Sequence, residues 1–368
     1  MTMAKGDAVC ARELAVGYDG RALIHGIGFE VRRGEIVALI GPNGSGKSTL
    51  LKTLARQLAA VAGTVWICGG ELRALSGRAL ATRMAVLLTD RSRPELMTCR
   101  DVVAMGRYPY TGRMGTLARE DEEKVEAALQ AVHAADLAGR DFNAISDGQR
   151  QRVMLARAIC QEPEVIVLDE PTSFLDIRHK LELLGILRRM AREQGIAVVM
   201  SLHEIDLAQK VADRVMCVKG EMPGRFGPPA EVFDEAAVRE LYGIDRGFYD
   251  ARFGSVELPR PEGEPQVFVL SSCGTGIPVY RALQKAGVPF AAGVLYANDV
   301  DYQLARLLAS EVIVAEPFEP VGGALIRRAL DCMRTCGRAI DAGVKLGSCN
   351  AALRALVEEA GRMPAFEL

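Results

Sequence analysis

Gly41-Pro42-Asn43-Gly44-Ser45-Gly46-Lys47-Ser48-Thr49 constrains this chain more than any other stretch. Five apolar residues at 36–40 precede it and read as a buried strand. Leu50-Leu51-Lys52-Thr53-Leu54-Ala55 follows and reads as the opening of a helix. Strand, glycine-rich turn and helix, in that order, form the setting in which G-x-x-x-x-G-K-[ST] wraps a phosphate. The glycines let the backbone curl so that successive N–H groups face one anion, and the helix N-terminus adds partial positive charge. Lys47 then reaches the β- and γ-phosphates and the Ser48 hydroxyl holds Mg²⁺. A turn that merely joined strand to helix would not need the Lys-Ser pair. The stretch therefore predicts a bound nucleoside triphosphate, and the use made of it must be read elsewhere.

Composition sets outer bounds. At 368 residues, 49% hydrophobic and 25% charged, the chain is long enough for two domains and predicts a soluble globular protein. A formal net charge of −2 gives no support to a nucleic-acid-coating protein, so no nucleic-acid partner is expected. No apolar run of about 18 residues is present, so no self-inserting span is expected. Residues 1–10 lack the apolar core of a signal peptide, which argues against export. Nine scattered cysteines, an odd number, fit reduced cytosolic thiols better than a disulfide framework.

Residues 9–16 and 23–31 read as strands, with Tyr18 in the turn between them. That tyrosine is either an adenine-stacking aromatic or a plain turn residue. Residues 64–68 and 84–88 add strands. Thr98 is suited to cap a helix carrying Val102, Val103 and Met105, which Pro109 would close. A helix over 118–133 opens on Glu120-Asp121-Glu122-Glu123, acids that suit its N-terminal dipole.

A second constellation begins at Ile145-Ser146-Asp147-Gly148-Gln149, a serine and a glycine just before a long helix and so another anion-facing N-terminus. Val165-Ile166-Val167-Leu168 then leads into Asp169-Glu170-Pro171, a buried strand ending in two carboxylates. In a nucleotide site the first belongs near the metal and the second accepts a proton from the attacking water. Ser173-Phe174-Leu175-Asp176 forms a tight loop, and the strand at 196–202 ends at His203, placed to touch a γ-phosphate.

Taken together these motifs resemble the ATP-binding subunits of ABC transporters over residues 9–257. The branch resembled most closely is that of importers of iron chelates, haem and cobalamin, in which a Gly-Arg-Tyr-Pro segment (here Gly106-Arg107-Tyr108-Pro109) is typical. The resemblance implies an α/β P-loop ABC ATPase domain with a RecA-like core, an antiparallel β subdomain and a helical subdomain. It implies a homodimer sandwiching two ATPs, each held by residues 41–49 of one copy and by Ser146, Gly148 and Gln149 of the other. Tyr18 would stack on adenine, Lys47 neutralise phosphate charge, and Ser48 and Asp169 place Mg²⁺. Glu170 would polarise the water, His203 touch the γ-phosphate and Asp176 bridge the copies. Integral-membrane permease subunits and a periplasmic or surface binding protein are the implied partners, with the chain peripheral on the cytoplasmic side of the membrane. A soluble ABC ATPase of repair, translation or cluster assembly is the alternative; no long heptad insertion or second cassette favours it.

Two positions depart from the family pattern. Asp147 replaces the first glycine of Leu-Ser-Gly-Gly-Gln. A carboxylate about 4 Å from a phosphate oxygen costs roughly 1 kcal/mol even at water-like dielectric, so Asp147 is expected to face away and cap its own helix. Thr89 stands where a glutamine normally helps to ligate Mg²⁺; its hydroxyl is a shorter ligand.

Residues 258–265, with three prolines and a glycine among charges, read as a linker. Beyond it, strands and helices alternate over 266–368, predicting a small doubly wound Rossmann-like α/β domain. The carboxyl ends of its strands would present Cys273, Gly274, Gly276, Asn298, Asp299, Asp301, Glu316 and Glu319. Its Gly-x-Gly lacks a third glycine, so a dinucleotide is weakly indicated. Cys332 and Cys336 share a helical face, with Cys273 and Cys349 as further candidate thiolate ligands for zinc or an iron–sulfur cluster. A packed accessory or dimerising domain, or a small-ligand sensor, are the other readings.

Overall fold

The computed structural model describes residues 6–88, 96–112, 115–173, 175–250, 254–364 and 366. It divides into two compact units, Met1–Gly243 with Ala251–Gly254, and Ile244–Asp250 with Ser255–Leu368.

In the first unit, β1 (Asp7–Tyr18) and β2 (Arg21–Arg32) form an antiparallel hairpin. Asp19 and Gly20 turn it, both at positive φ, the conformation that matches strand twist in a two-residue turn. There follow β3 (Ile36–Ile40), α1 (Lys47–Leu54), β4 (Ala62–Ile67), β5 (Gly70–Glu71), α2 (Gly77–Ala81) and β6 (Met84–Leu87). Three helices come next: α3 (Cys99–Ala104), α4 (Arg119–Ala131) and α5 (Asp147–Cys160). Thr98 and Asp101 make a reciprocal capping box at the start of α3, as the sequence predicts. The chain returns through β7 (Val165–Leu168), α6 (Ile177–Gln194), β8 (Ala197–Ser201), α7 (Ile205–Val211), β9 (Arg214–Lys219) and β10 (Met222–Gly227). It closes with α8 (Pro229–Val232) and α9 (Glu235–Tyr242).

Two sheets result. The antiparallel layer runs β2-β1-β4-β5; the core sheet runs β10-β9-β3-β8-β7-β6 and is parallel except for its β10 edge. Every residue of β3 is fully buried, as expected of a central parallel strand covered on both faces. Val37 and Leu39 pack with Leu50, Leu51 and Leu54 of α1 and with Leu14, Val16 and Ile27 of the antiparallel layer. One core thus locks the helix behind the glycine-rich loop to both sheets.

In the second unit, β11 (Phe248–Asp250) and β12 (Ser255–Glu257) pair as a hairpin. After residues 258–265 come β13 (Val267–Leu270), α10 (Gly276–Ala286), β14 (Phe290–Tyr296), α11 (Val300–Leu308) and β15 (Glu311–Ala315). Then come α12 (Gly323–Cys336), β16 (Ala339–Asp341) and α13 (Arg354–Ala360). The sheet order β15-β14-β13-β16 is parallel throughout, and separate cores cover its two faces, one with α12 and α13, the other with α10 and α11. This is the doubly wound layout expected. Strand β16, three residues long, is too short for the sequence pattern to disclose.

The boundary differs from the expected one. The hairpin at 248–257 belongs with the second unit, because its buried carboxylates are held there: Glu257 by Arg281 of α10, and Asp250 by Arg306 of α11 at 3.8 Å. The dinucleotide reading also loses its basis. Asp299 accepts the Cys273 N–H at 3.0 Å and Asp301 accepts the Gly276 N–H at 3.0 Å, so carboxylates already hold amides that a phosphate would need. Among the described residues no group of three or more His, Cys, Asp or Glu is arranged to hold a metal, so the four cysteines do not converge.

Candidate functional site

Because β3, β8 and β7 are parallel neighbours, their carboxyl ends deliver three distant stretches to one edge: residues 41–49, Leu202-His203 and Asp169-Glu170. A cleft of about 400 Å³ lies there, lined by Tyr18, Leu23, Asn43 to Thr49, Glu170 and His203.

The loop is built to face an anion. Helix α1 starts at Lys47 with no side-chain cap, leaving its first amides without the usual partner. Gly46, at φ 101°, takes a conformation closed to side-chain-bearing residues. Lys47, 5% exposed, donates from Nζ to the Gly41 and Pro42 carbonyls at 2.7 and 2.9 Å. Burial holds its ammonium below the ordinary value, with Glu170 and then Asp169 opposing that shift by their charge. Among the described residues the buried Ser45 Oγ has no hydrogen-bond partner. Tyr18, half exposed, shares a hydrogen bond with Thr49 Oγ1 at 3.2 Å, which fixes its ring at the mouth of the cleft.

Gly41 lies against β9, where an added Cβ would come 2.1 Å from the Val218 carbonyl oxygen. A strand backbone gives way poorly, so Gly41→Ala is expected to destabilise the unit by about 1–3 kcal/mol and to weaken ATP binding, as read by thermal melting and nucleotide titration.

Opposite the loop, Asp169 is buried and accepts from Ser201 Oγ at 2.7 Å. Glu170 turns out of the strand at φ +50°. Its Oε1 lies 2.6 Å from His203 Nε2, and its Oε2 accepts from Ser173 Oγ at 3.1 Å. Neither Ser201 nor Ser173 was singled out from sequence. The available signal is Ser201, a lone serine inside the otherwise apolar run 196–202.

Ser146 is the N-cap of α5: its Oγ accepts the Gln149 N–H, and the Gln149 side chain accepts the Ser146 N–H at 3.0 Å. Accepting that bond leaves the hydroxyl proton of Ser146 for another acceptor. Asp147 does turn onto its own helix, but not as the cap. It occupies the first helical position and pairs with Arg150. Gly148 packs beside His179 and Leu175, and Gln151 donates to the Pro171 carbonyl at 3.1 Å. Asp176 caps α6, and the His179 amide foremost holds its carboxylate below the ordinary range. Thr89 lies outside the described residues.

Within the Gly-Arg-Tyr-Pro segment Gly106 and Arg107 are buried, while Tyr108 is exposed. Arg107, 3% exposed, bonds Asp121 of α4 at 2.8 Å, Glu162 at 2.9 Å and the Cys160 carbonyl at 2.8 Å, with its guanidinium 4.0 Å over the Tyr110 ring. It clamps the three helices between β6 and β7.

With this geometry in place, residues 24–173 match the family model described as ABC transporter, and residues 290–366 match the MJ0874 family. An uncharacterized ABC transporter ATP-binding protein of Methanocaldococcus jannaschii is 44% identical over 273 residues, 74% of this chain and 94% of that protein. The chain belongs to the ABC transporter ATP-binding proteins. This ABC ATPase is also 39% identical over 238 residues to the achromobactin transport ATP-binding protein of Dickeya dadantii, 65% of this chain and 88% of that one. It is 33% identical over 312 residues to the cobalamin import ATP-binding protein of Halobacterium salinarum, 83% of this chain and 78% of that one. Among the described residues no helix is long and apolar enough to cross a membrane.

Proposed function

We propose that this ABC ATPase powers import of an iron chelate, haem or cobalamin-type cargo through a separate permease, seated peripherally on the cytoplasmic side of the membrane. One observation carries the cargo class: relatives 33–39% identical over the aligned residues are achromobactin and cobalamin transport subunits. The 312 residues aligned with the Halobacterium protein exceed what Met1–Gly243 and Ala251–Gly254 can supply, so that similarity extends into the second unit.

The catalytic reading is one of positioning and electrostatics. Lys47, the uncapped α1 terminus and the unpartnered Ser45 hydroxyl suit the triphosphate, and Tyr18 suits the adenine face. Ser48 and Asp169 offer the oxygen ligands that a small hard cation prefers; Mg²⁺ held there would offset the charge on the β- and γ-phosphates. Glu170 takes the proton of a water whose oxygen bonds to the γ-phosphorus as the bond to the β–γ bridging oxygen breaks. His203, beside Glu170, contacts the γ-phosphate. Ser146, Gly148 and Gln149 would close the site from a second copy, with Asp176 at the seam.

The test is reconstitution of the full chain with its permease in vesicles. ATP-dependent uptake of cobalamin, a ferric siderophore or haem is expected. Hydrolysis without uptake of any of the three would contradict the importer reading.

A further inference from the structure

We infer that Ser201 is a positioning residue for hydrolysis: its single hydroxyl fixes the two carboxylates at the end of β7 relative to each other. This rests on the catalytic reading of Asp169 and Glu170 given above.

The fold brings the three together by register. Strand β8 runs parallel beside β7 with Leu168 opposite Met200, so Asp169 and Ser201 are the next residues on each strand. Val165, Val167, Ala197 and Val199 all point into the core shared with α1. Side chains alternate along a strand, so Asp169 and Ser201 continue that face, on the side of the helix that begins at Lys47.

Ser201 is completely buried and both functions of its hydroxyl are used. Its proton goes to Asp169 Oδ1 at 2.7 Å, and its oxygen accepts the Glu170 N–H at 2.8 Å. The Asp169 amide still belongs to the ladder, bonding the Leu87 carbonyl at 2.8 Å. One residue later the chain leaves the sheet at φ +50°, a left-handed conformation that a non-glycine residue keeps only when its surroundings impose it. The Ser201 hydroxyl holds that turn by its amide. Glu170 is thereby aimed at His203 while one oxygen of Asp169 is fixed.

The experiment uses the full chain with Ser201→Ala, Ser201→Thr and Ser201→Val. Threonine and valine have the same shape and differ by the hydroxyl, so a packing effect moves both alike. Ser201→Ala and Ser201→Val are expected to lower kcat by on the order of 10- to 100-fold, with ATP affinity within about threefold of wild type. They are also expected to raise the Mg²⁺ concentration needed for half-maximal turnover. Ser201→Thr is expected to retain most of the rate and the wild-type Mg²⁺ requirement. Equal turnover for the threonine and valine variants, or loss of ATP binding in the alanine and valine variants, overturns the inference. A wild-type chain that binds ATP but does not hydrolyse it would instead contradict the catalytic reading beneath it.

Discussion

Glu170→Gln is expected to lower ATP turnover by roughly 10²- to 10⁴-fold while leaving ATP bound. The change is isosteric, so the loop from Gly41 to Thr49 and the Ser201 bond to the residue 170 amide are untouched. What is lost is the capacity to take a proton. Glutamine is not a base at neutral pH, although its amide still fits between His203, now 2.6 Å from Glu170, and Ser173 at 3.1 Å. Steady-state phosphate release measured beside nucleotide titration separates the two effects. Unchanged turnover would remove Glu170 from the chemistry.

Arg107→Ala is expected to destabilise the first unit by about 3–5 kcal/mol, the largest stability effect predicted here. The substitution leaves the Asp121 carboxylate, 8% exposed, without its buried cation, and the Cys160 carbonyl without a donor. Acidification should imitate it. The Ala118 amide first and then Arg107 hold Asp121 below the ordinary carboxylate range. Burial pushes Glu162 up, but Lys124 and Arg107 together outweigh it and its net shift is downward. Both folded-state values are depressed, so their contribution is complete above the unfolded carboxylate range near pH 4 and is lost as pH falls through the folded values. Melting curves of wild type and variant between neutral pH and pH 3 should therefore converge. A loss under about 1 kcal/mol at neutral pH would show that the clamp carries little of the stability.

The phosphate loop and the Asp169-Glu170 strand end are legible because each is a short local pattern with a chemical requirement; the start of α5 is legible too, although Ser146 and not the expected Asp147 caps it. Ser201 is not, since its importance depends on the register of β8 against β7, a pairing of residues about thirty positions apart. Arg107 stands in a family-typical segment of the sequence, but only the packing of α4 and α5 reveals it as a buried clamp. The second unit's alternation was plain from residue 266 onward. Its leading hairpin is not legible there, because the pairing of the buried Asp250 and Glu257 with arginines leaves no trace in hydrophobic periodicity.

On the proposed function, ATP completes its site only between two copies, with Ser146 of one facing the Gly41 to Thr49 loop of the other. Light scattering on the Glu170→Gln chain, with and without Mg²⁺ and ATP, separates the one-copy from the two-copy site. Twice the mass of one chain is expected when ATP is present, with reversion to a single chain when Lys47→Ala or a bulky Ser146→Phe is added. A Glu170→Gln chain that binds ATP and keeps the mass of one copy would contradict it.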